Sequence, residues 1–87
     1  MKINYINWKY EAFEEYLSRQ KIDKKNFARI NKLIKDIKRS PFGGIGKPEP
    51  LKDNLSVLWS KRIDKEHRIV YFVDGDVLVI LQVRGHY

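Results

Sequence analysis

At 87 residues the chain has room for one domain with one modest core, and 43% hydrophobic with 33% charged side chains excludes a disordered polymer. It has no cysteine, and His67 and His86 are not spaced as zinc ligands, so neither a disulfide framework, a metal nor a cofactor is expected. The net charge of +7 favours a polyanionic partner (RNA, DNA or an acidic protein segment), and the longest apolar run, Val77 to Leu81, is too short to cross a bilayer. With no signal-peptide pattern at the N-terminus, no membrane association and a cytosolic location are expected.

Taken in order, Lys2 to Asn7 alternates as a short strand. From Trp8 to about Arg19 the apolar residues Trp8, Ala12, Phe13, Tyr16 and Leu17 recur at helical spacing, with Asn7 as a candidate N-cap. A second helix runs from about Asp23 to Arg39, its stripe formed by Phe27, Ile30, Leu33, Ile34 and Ile37. Pro41 stops it, and the short link between the helices predicts an antiparallel hairpin. Residues 41–50 hold all three prolines and three of the five glycines, an ordered-loop composition that is neither a helix nor a central strand. Three strands follow, about Val57 to Ile63, His67 to Val73 and Val77 to Arg84, joined by turns at Asp64-Lys65-Glu66 and Asp74-Gly75-Asp76. The order β-α-α-β-β-β defines a single α+β domain over residues 1–87, with a helical hairpin on one face of a mostly antiparallel sheet.

Charge is unevenly spread. Residues 1–40 hold 11 basic and 5 acidic side chains, and residues 41–87 hold 7 and 6. The positive field therefore belongs to the first half. Lys24, Lys25, Arg29, Lys32, Lys35, Lys38 and Arg39 cover the second helix; they read either as a solvated face or as a sequence-independent contact to a nucleic-acid backbone.

Individual groups matter more in the second half. With a three-residue loop, strand positions pair so that their numbers sum to 130, which sets Arg62 opposite Arg68 on the face of Leu58, Ser60, Val70 and Phe72. Trp59, Ile63, Ile69, Tyr71 and Val73 then lie under the helices. Like charges face to face are destabilising unless an anion such as a phosphate sits between them. The plainer reading pairs each arginine with an acid such as Asp64 or Glu66, or with solvent. Glu49, between Pro48 and Pro50, sits on stiff backbone beside Lys47 and Lys52. It is a positioned general base or an ordinary glutamate balancing two lysines. His86 is a candidate proton donor and Tyr87 a candidate base-stacking group, against the alternative of a frayed tail. His67, opposite Ile63, reads as a satisfied structural histidine.

Together these signals resemble one family. Lys38-Arg39-Ser40-Pro41-Phe42, Gly46-Lys47-Pro48-Glu49-Pro50-Leu51-Lys52, Asn54-Leu55-Ser56, Trp59-Ser60-Lys61-Arg62-Ile63, Glu66-His67-Arg68-Ile69-Val70-Tyr71 and the terminal His86-Tyr87 run collinearly as in the YoeB-type mRNA interferase toxins of the RelE superfamily. The resemblance implies a RelE-like, microbial-ribonuclease-type fold and the toxin of a type II toxin–antitoxin pair. It further implies a ribosome-dependent endoribonuclease that cleaves mRNA in the A site without metal, by attack of a 2′-hydroxyl on the adjacent phosphate. Carried over by position, Glu49 is the general base, His86 the general acid, Arg68 with Arg62 the charge stabilisers, Lys52 an assistant and Tyr87 an orienting group.

The helix cations, Lys47 and Lys61 would contact RNA or the 70S ribosome at 16S rRNA. The partner implied is a YefM-like antitoxin with an acidic, disordered C-terminal segment; a homodimer is left open. Departures from the family fall at Gly43-Gly44-Ile45, at Val57-Leu58, at Lys61 where relatives commonly carry arginine, and at Gln82-Val83-Arg84-Gly85, where glycine suggests a looser tail. Two competing readings are a non-catalytic basic RNA- or ribosome-binding domain and a toxin-fold regulatory subunit.

Overall fold

The apolar stripe over residues 27–37 organises the molecule, which the computed structural model describes over residues 2–51 and 57–85. The stripe belongs to helix α2 (Lys24–Arg39), in which Ile30, Leu33 and Ile37 are fully buried. Each such side chain contributes about 1.5–3 kcal/mol by leaving water. Asp23 caps the helix by accepting the Asn26 N–H at 3.1 Å. Asp23 alone separates α2 from helix α1 (Tyr10–Ile22), and its own N–H closes the end of α1 on the Arg19 carbonyl. The chain therefore folds straight back as the expected hairpin. Tyr16 fastens it, stacking on Phe27 at 4.9 Å and donating its hydroxyl to Asn31 Oδ1 at 2.6 Å.

The described residues form one sheet of five strands in the order β1-β5-β4-β3-β2, from β1 (Tyr5–Trp8), β2 (Glu49–Pro50), β3 (Trp59–Arg62), β4 (Arg68–Asp74) and β5 (Val77–Gln82). Only β1 runs parallel to its neighbour, β5; the other pairs are antiparallel, so the architecture is the α+β arrangement expected. The β3–β4 register is Trp59↔Tyr71, Ser60↔Val70, Lys61↔Ile69 and Arg62↔Arg68, the sum of 130 derived from the loop length. Ile69, Tyr71, Leu78 and Ile80 meet Ala12, Ile30, Leu33 and Ile37 in the core, which puts both helices on one face. No helix among the described residues is long and apolar enough to cross a membrane.

Two details differ from the sequence reading. Asn7 caps no helix, because it pairs with Val79 as part of β1; α1 starts later, after Lys9, without a side-chain cap. Glu49–Pro50 is a two-residue strand, not simply loop, pairing Glu49 with Ser60 and Pro50 with Trp59. Proline is tolerated there because β2 is an edge strand, with no further partner awaiting its missing N–H.

Leu33→Ala should lower the unfolding free energy by about 2–5 kcal/mol through loss of buried surface and the cavity left behind. Urea denaturation checks this against Lys32→Ala, on the exposed side of the same helix, which should stay within about 0.5 kcal/mol of the parent.

Candidate active site

The sheet face turned away from the helices carries Ser60, Val70 and Arg68, as strand alternation requires. Arg68 is only 8% exposed, an unusual placement for a guanidinium, and its head group is met by polar partners. Its Nε donates to Ser60 Oγ at 2.9 Å, and its Nη2 donates to the Lys47 carbonyl at 3.2 Å and lies 3.4 Å from Glu49 Oε1. Glu49 remains half exposed, so one carboxylate joins a clamped cation to open solvent. Lys47 adopts a left-handed φ of 50°, which turns its carbonyl toward Arg68. The backbone N–H of Arg68 donates to the Gly85 carbonyl at 3.1 Å. A single residue thus grips Glu49 with its side chain and the residue preceding His86 with its main chain.

Arg62 stands opposite Arg68 in the register and is exposed. The acids proposed as plain partners for these arginines are engaged elsewhere. Asp64 accepts from Asn26 Nδ2 at 2.8 Å and from the Glu66 and His67 N–H groups at 2.8 and 2.7 Å, and Glu66 Oε2 lies 3.8 Å from His67 Nε2. Burial pushes the Asp64 carboxyl up, but these hydrogen bonds and the nearby imidazole outweigh it and hold the group below its ordinary value. Lys52, His86 and Tyr87 lie outside the described residues.

The loop that delivers Glu49 is built around Lys61. The sequence places Lys61 among the RNA-facing cations; the structure buries it completely beneath α2. Its Nζ donates to Asp36 Oδ2 at 2.6 Å, to the Gly43 carbonyl at 2.7 Å and to the Ser40 carbonyl at 3.2 Å, which uses all three ammonium donors. Asp36 Oδ2 also accepts the Ile45 N–H at 2.9 Å. Gly44, at φ +77°, passes so close to this carboxylate that a Cβ there would collide with it. The loop then rejoins the sheet where Arg62 N–H donates to the Gly46 carbonyl at 2.6 Å, directly before Lys47 and Glu49. The missed signal was strand parity: Lys61 shares its face with Trp59 and Ile63, and Asp36 is the one acid within α2.

The remaining cations divide by position. Lys24, Lys25, Lys32, Lys35, Lys38 and Arg39 are exposed on α2, on the opposite side of the sheet from Glu49 and Arg68. Arg29 is half-buried, its guanidinium donating to the Arg62 carbonyl at 3.3 Å, while Lys47 is exposed beside the Glu49–Arg68 pair. The structure therefore brings together Glu49, Arg68, Lys47 and the stem of the C-terminal dipeptide, and sets the helix cations apart from them.

A family model described as "YoeB-like toxin of bacterial type II toxin-antitoxin system" matches residues 8–87. Toxin YoeB of Escherichia coli K12 is 54% identical over 80 residues, covering 92% of this chain and 95% of that protein. A YoeB/ParE toxin structure from Agrobacterium tumefaciens superposes with a TM-score of 0.92 at 41% identity, over 97% of this chain and 100% of that one. The Staphylococcus aureus YoeB, solved as a dimer, superposes at 0.90 and 44% identity, and its complex with YefM at 0.87 and 43%, each over the whole of both chains.

Burial pushes the Asp36 carboxyl up, but the Lys61 and Ile45 hydrogen bonds and the charges of Lys61 and Arg39 outweigh it, so the group titrates below its ordinary 3.8. A depressed folded-state value means that this stabilisation is present above pH 3.8 and is lost as pH falls through the folded value. Lys61→Met leaves Asp36 buried without its main partner and should cost about 3–5 kcal/mol at pH 7. Urea denaturation of parent and variant at pH 7 and pH 3 should show that gap narrowing in acid, where Asp36 takes up a proton.

Proposed function

Since the chain belongs to the YoeB-like toxins of bacterial type II toxin–antitoxin systems, we propose that it is a ribosome-dependent endoribonuclease that cleaves mRNA in the A site. The observation that carries the reading is the contact between half-exposed Glu49 and clamped Arg68. Glu49 takes the proton of the 2′-hydroxyl as that oxygen bonds to the adjacent phosphorus. The bond from phosphorus to the 5′-oxygen breaks, and His86 supplies the proton to the leaving oxygen. A 2′,3′-cyclic phosphate and a free 5′-hydroxyl result. Arg68, joined by Arg62, meets the charge that builds on the non-bridging oxygens; Lys52 assists, and Tyr87 orients the RNA by stacking or hydrogen bonding. Donors already held in place need little reorganisation when this charge appears, and the nucleophile belongs to the RNA, so the scheme requires no metal.

Arg68 serves two anions in turn. In the free protein its Nη2 faces Glu49; an arriving phosphate competes for the same fork, and Glu49 is released toward the 2′-hydroxyl. The exposed cations of α2 with Lys47 bind rRNA of the 70S ribosome without base preference, through phosphate charge. Lys61 has no part in that surface, being enclosed by Asp36, Ser40 and Gly43. The partner is an antitoxin, a reading supported by the YoeB–YefM complex of Staphylococcus aureus, and the charge of this chain suits an acidic, disordered segment that folds onto the basic surface; the dimer of the same relative supports self-association.

The separation of the α2 cations from Glu49 and Arg68 favours one other reading, a basic ribosome-binding domain without catalysis. Mapping cuts on mRNA in purified 70S ribosomes separates the two. Glu49→Gln and His86→Gln should each lower cleavage roughly 10²–10⁴-fold while leaving ribosome co-sedimentation intact. Replacing Lys32, Lys35 and Lys38 by alanine should weaken co-sedimentation first. Cleavage at the parental rate by the Glu49→Gln, His86→Gln double variant would rule out the mechanism.

A further inference from the structure

His67 takes no part in the proton transfers above, yet it does more than fill an edge of the core. The side chain is mostly buried at the end of α1, in a hollow lined by Ser18, Arg19, Asp23, Arg84 and Gly85. Its Nδ1 accepts the Gly85 N–H at 2.8 Å. The Gly85 carbonyl, on the other side of the same residue, accepts the Arg68 N–H at 3.1 Å. Gly85 is therefore held from both of its main-chain groups by two consecutive residues, Arg68 at the start of β4 and His67 just before it, 17 and 18 positions earlier in the chain. It is held at φ +73°, a left-handed conformation that a side chain would disfavour. Gly85 itself is thus fixed on both of its main-chain groups, whereas the residues after it lie outside the described ones.

Resting on the ribonuclease reading, we propose that His67 is a positioning residue for His86: with Arg68 N–H it forms a two-point clamp on Gly85, the residue directly before that proton donor. The chemistry explains why histidine serves. The clamp needs a buried acceptor at the reach of Nδ1. A neutral imidazole offers one while keeping its second nitrogen as a donor, which here faces Glu66 Oε2 at 3.8 Å. Strand β5 ends at Gln82 and Val83 is fully buried, so only Arg84 separates the packed core from the clamp. Without the Nδ1 acceptor, Gly85 would keep only the Arg68 bond and could pivot about it. A pivot one residue before a catalytic group is amplified at its ring. Small displacements of a proton donor reduce turnover more than they reduce substrate binding.

The test compares His67→Leu, His67→Gln and His67→Asn in the full chain. Asparagine places Oδ1 where Nδ1 stands; glutamine carries its acceptor further out; leucine has none. Two readouts are taken: solvent exchange of the Gly85 amide by NMR, with the Ile80 amide as internal reference, and kcat and KM for mRNA cleavage on 70S ribosomes. Losing one such hydrogen bond should raise Gly85 exchange and lower kcat, each roughly tenfold, in His67→Leu and His67→Gln, with KM within about twofold of the parent. His67→Asn should return both to within about threefold of the parent.

Unchanged Gly85 exchange in His67→Leu would overturn the clamp, and raised exchange with parental kcat would overturn its role in positioning. Equal losses in the Asn and Leu variants would assign His67 to packing alone. If the parent chain itself cuts no mRNA, the ribonuclease reading fails, and the exchange comparison still decides whether His67 holds Gly85.

Discussion

The buried ammonium of Lys61 governs how the two halves of the molecule meet. Removing a lysine charge from water is unfavourable unless its donors are met, and here Asp36 and two carbonyls meet them. Asp36 belongs to α2, Lys61 to β3, and the carbonyls of Ser40 and Gly43 to the loop between helix and sheet. One charge therefore ties helix, strand and connection at a single point. An aliphatic pair in its place would pack well but would not direct the loop, because only hydrogen bonds distinguish one carbonyl position from the next. The route of that loop decides where Lys47 turns and where Glu49 joins the sheet edge, so the candidate active site inherits its geometry from an ion pair on the far face of the same strand.

Tyr71 extends the same arrangement. Its hydroxyl donates to the carbonyl of Pro41, at the start of the loop, and burial together with the Asp36 charge pushes its ionisation well above the usual phenol value. The phenol is accordingly a permanent donor. Three residues on the helix-covered side of the sheet and its helix, Lys61, Tyr71 and Asp36, thus define residues 40–46, while Arg68 on the opposite side draws in the Lys47 carbonyl and Glu49. The loop passes from one face of β3 to the other, and its glycines allow the passage.

Much of this frame was readable from the residues alone. The helix stripe and the β3–β4 register followed from period and loop length, because both are local rules with a single solution. Arg62 opposite Arg68 came from that register. The contact between Arg68 and Glu49 did not, since no spacing rule joins a loop residue to a strand nineteen positions later. Glu49–Pro50 escaped as a strand because a two-residue edge flanked by proline has no periodicity to detect. Lys61 was misplaced for a different reason. Lysine is ordinarily a surface residue, whereas strand alternation sets Lys61 on the inward face with Trp59 and Ile63. Arg19 repeats the lesson within α1: it is 6% exposed at a position that side-chain chemistry alone would assign to solvent.

The parallel pairing of β1 with β5 has a consequence for how the protein comes into being. Tyr5 is hydrogen-bonded alongside Val77, and β5 occupies an interior place between β1 and β4. The last strand in the chain is thus an inner plank of the sheet, not an addition to its rim. During vectorial synthesis the hairpin of helices can form early from local contacts, but the sheet has a gap until residues 77–82 emerge. Before then β1 has no strand to join, and the Gly85 stem has not been made. A chain made only as far as β4 therefore lacks the strand that joins β1 to the rest of the sheet, and the fold closes only once residues 77–82 are available.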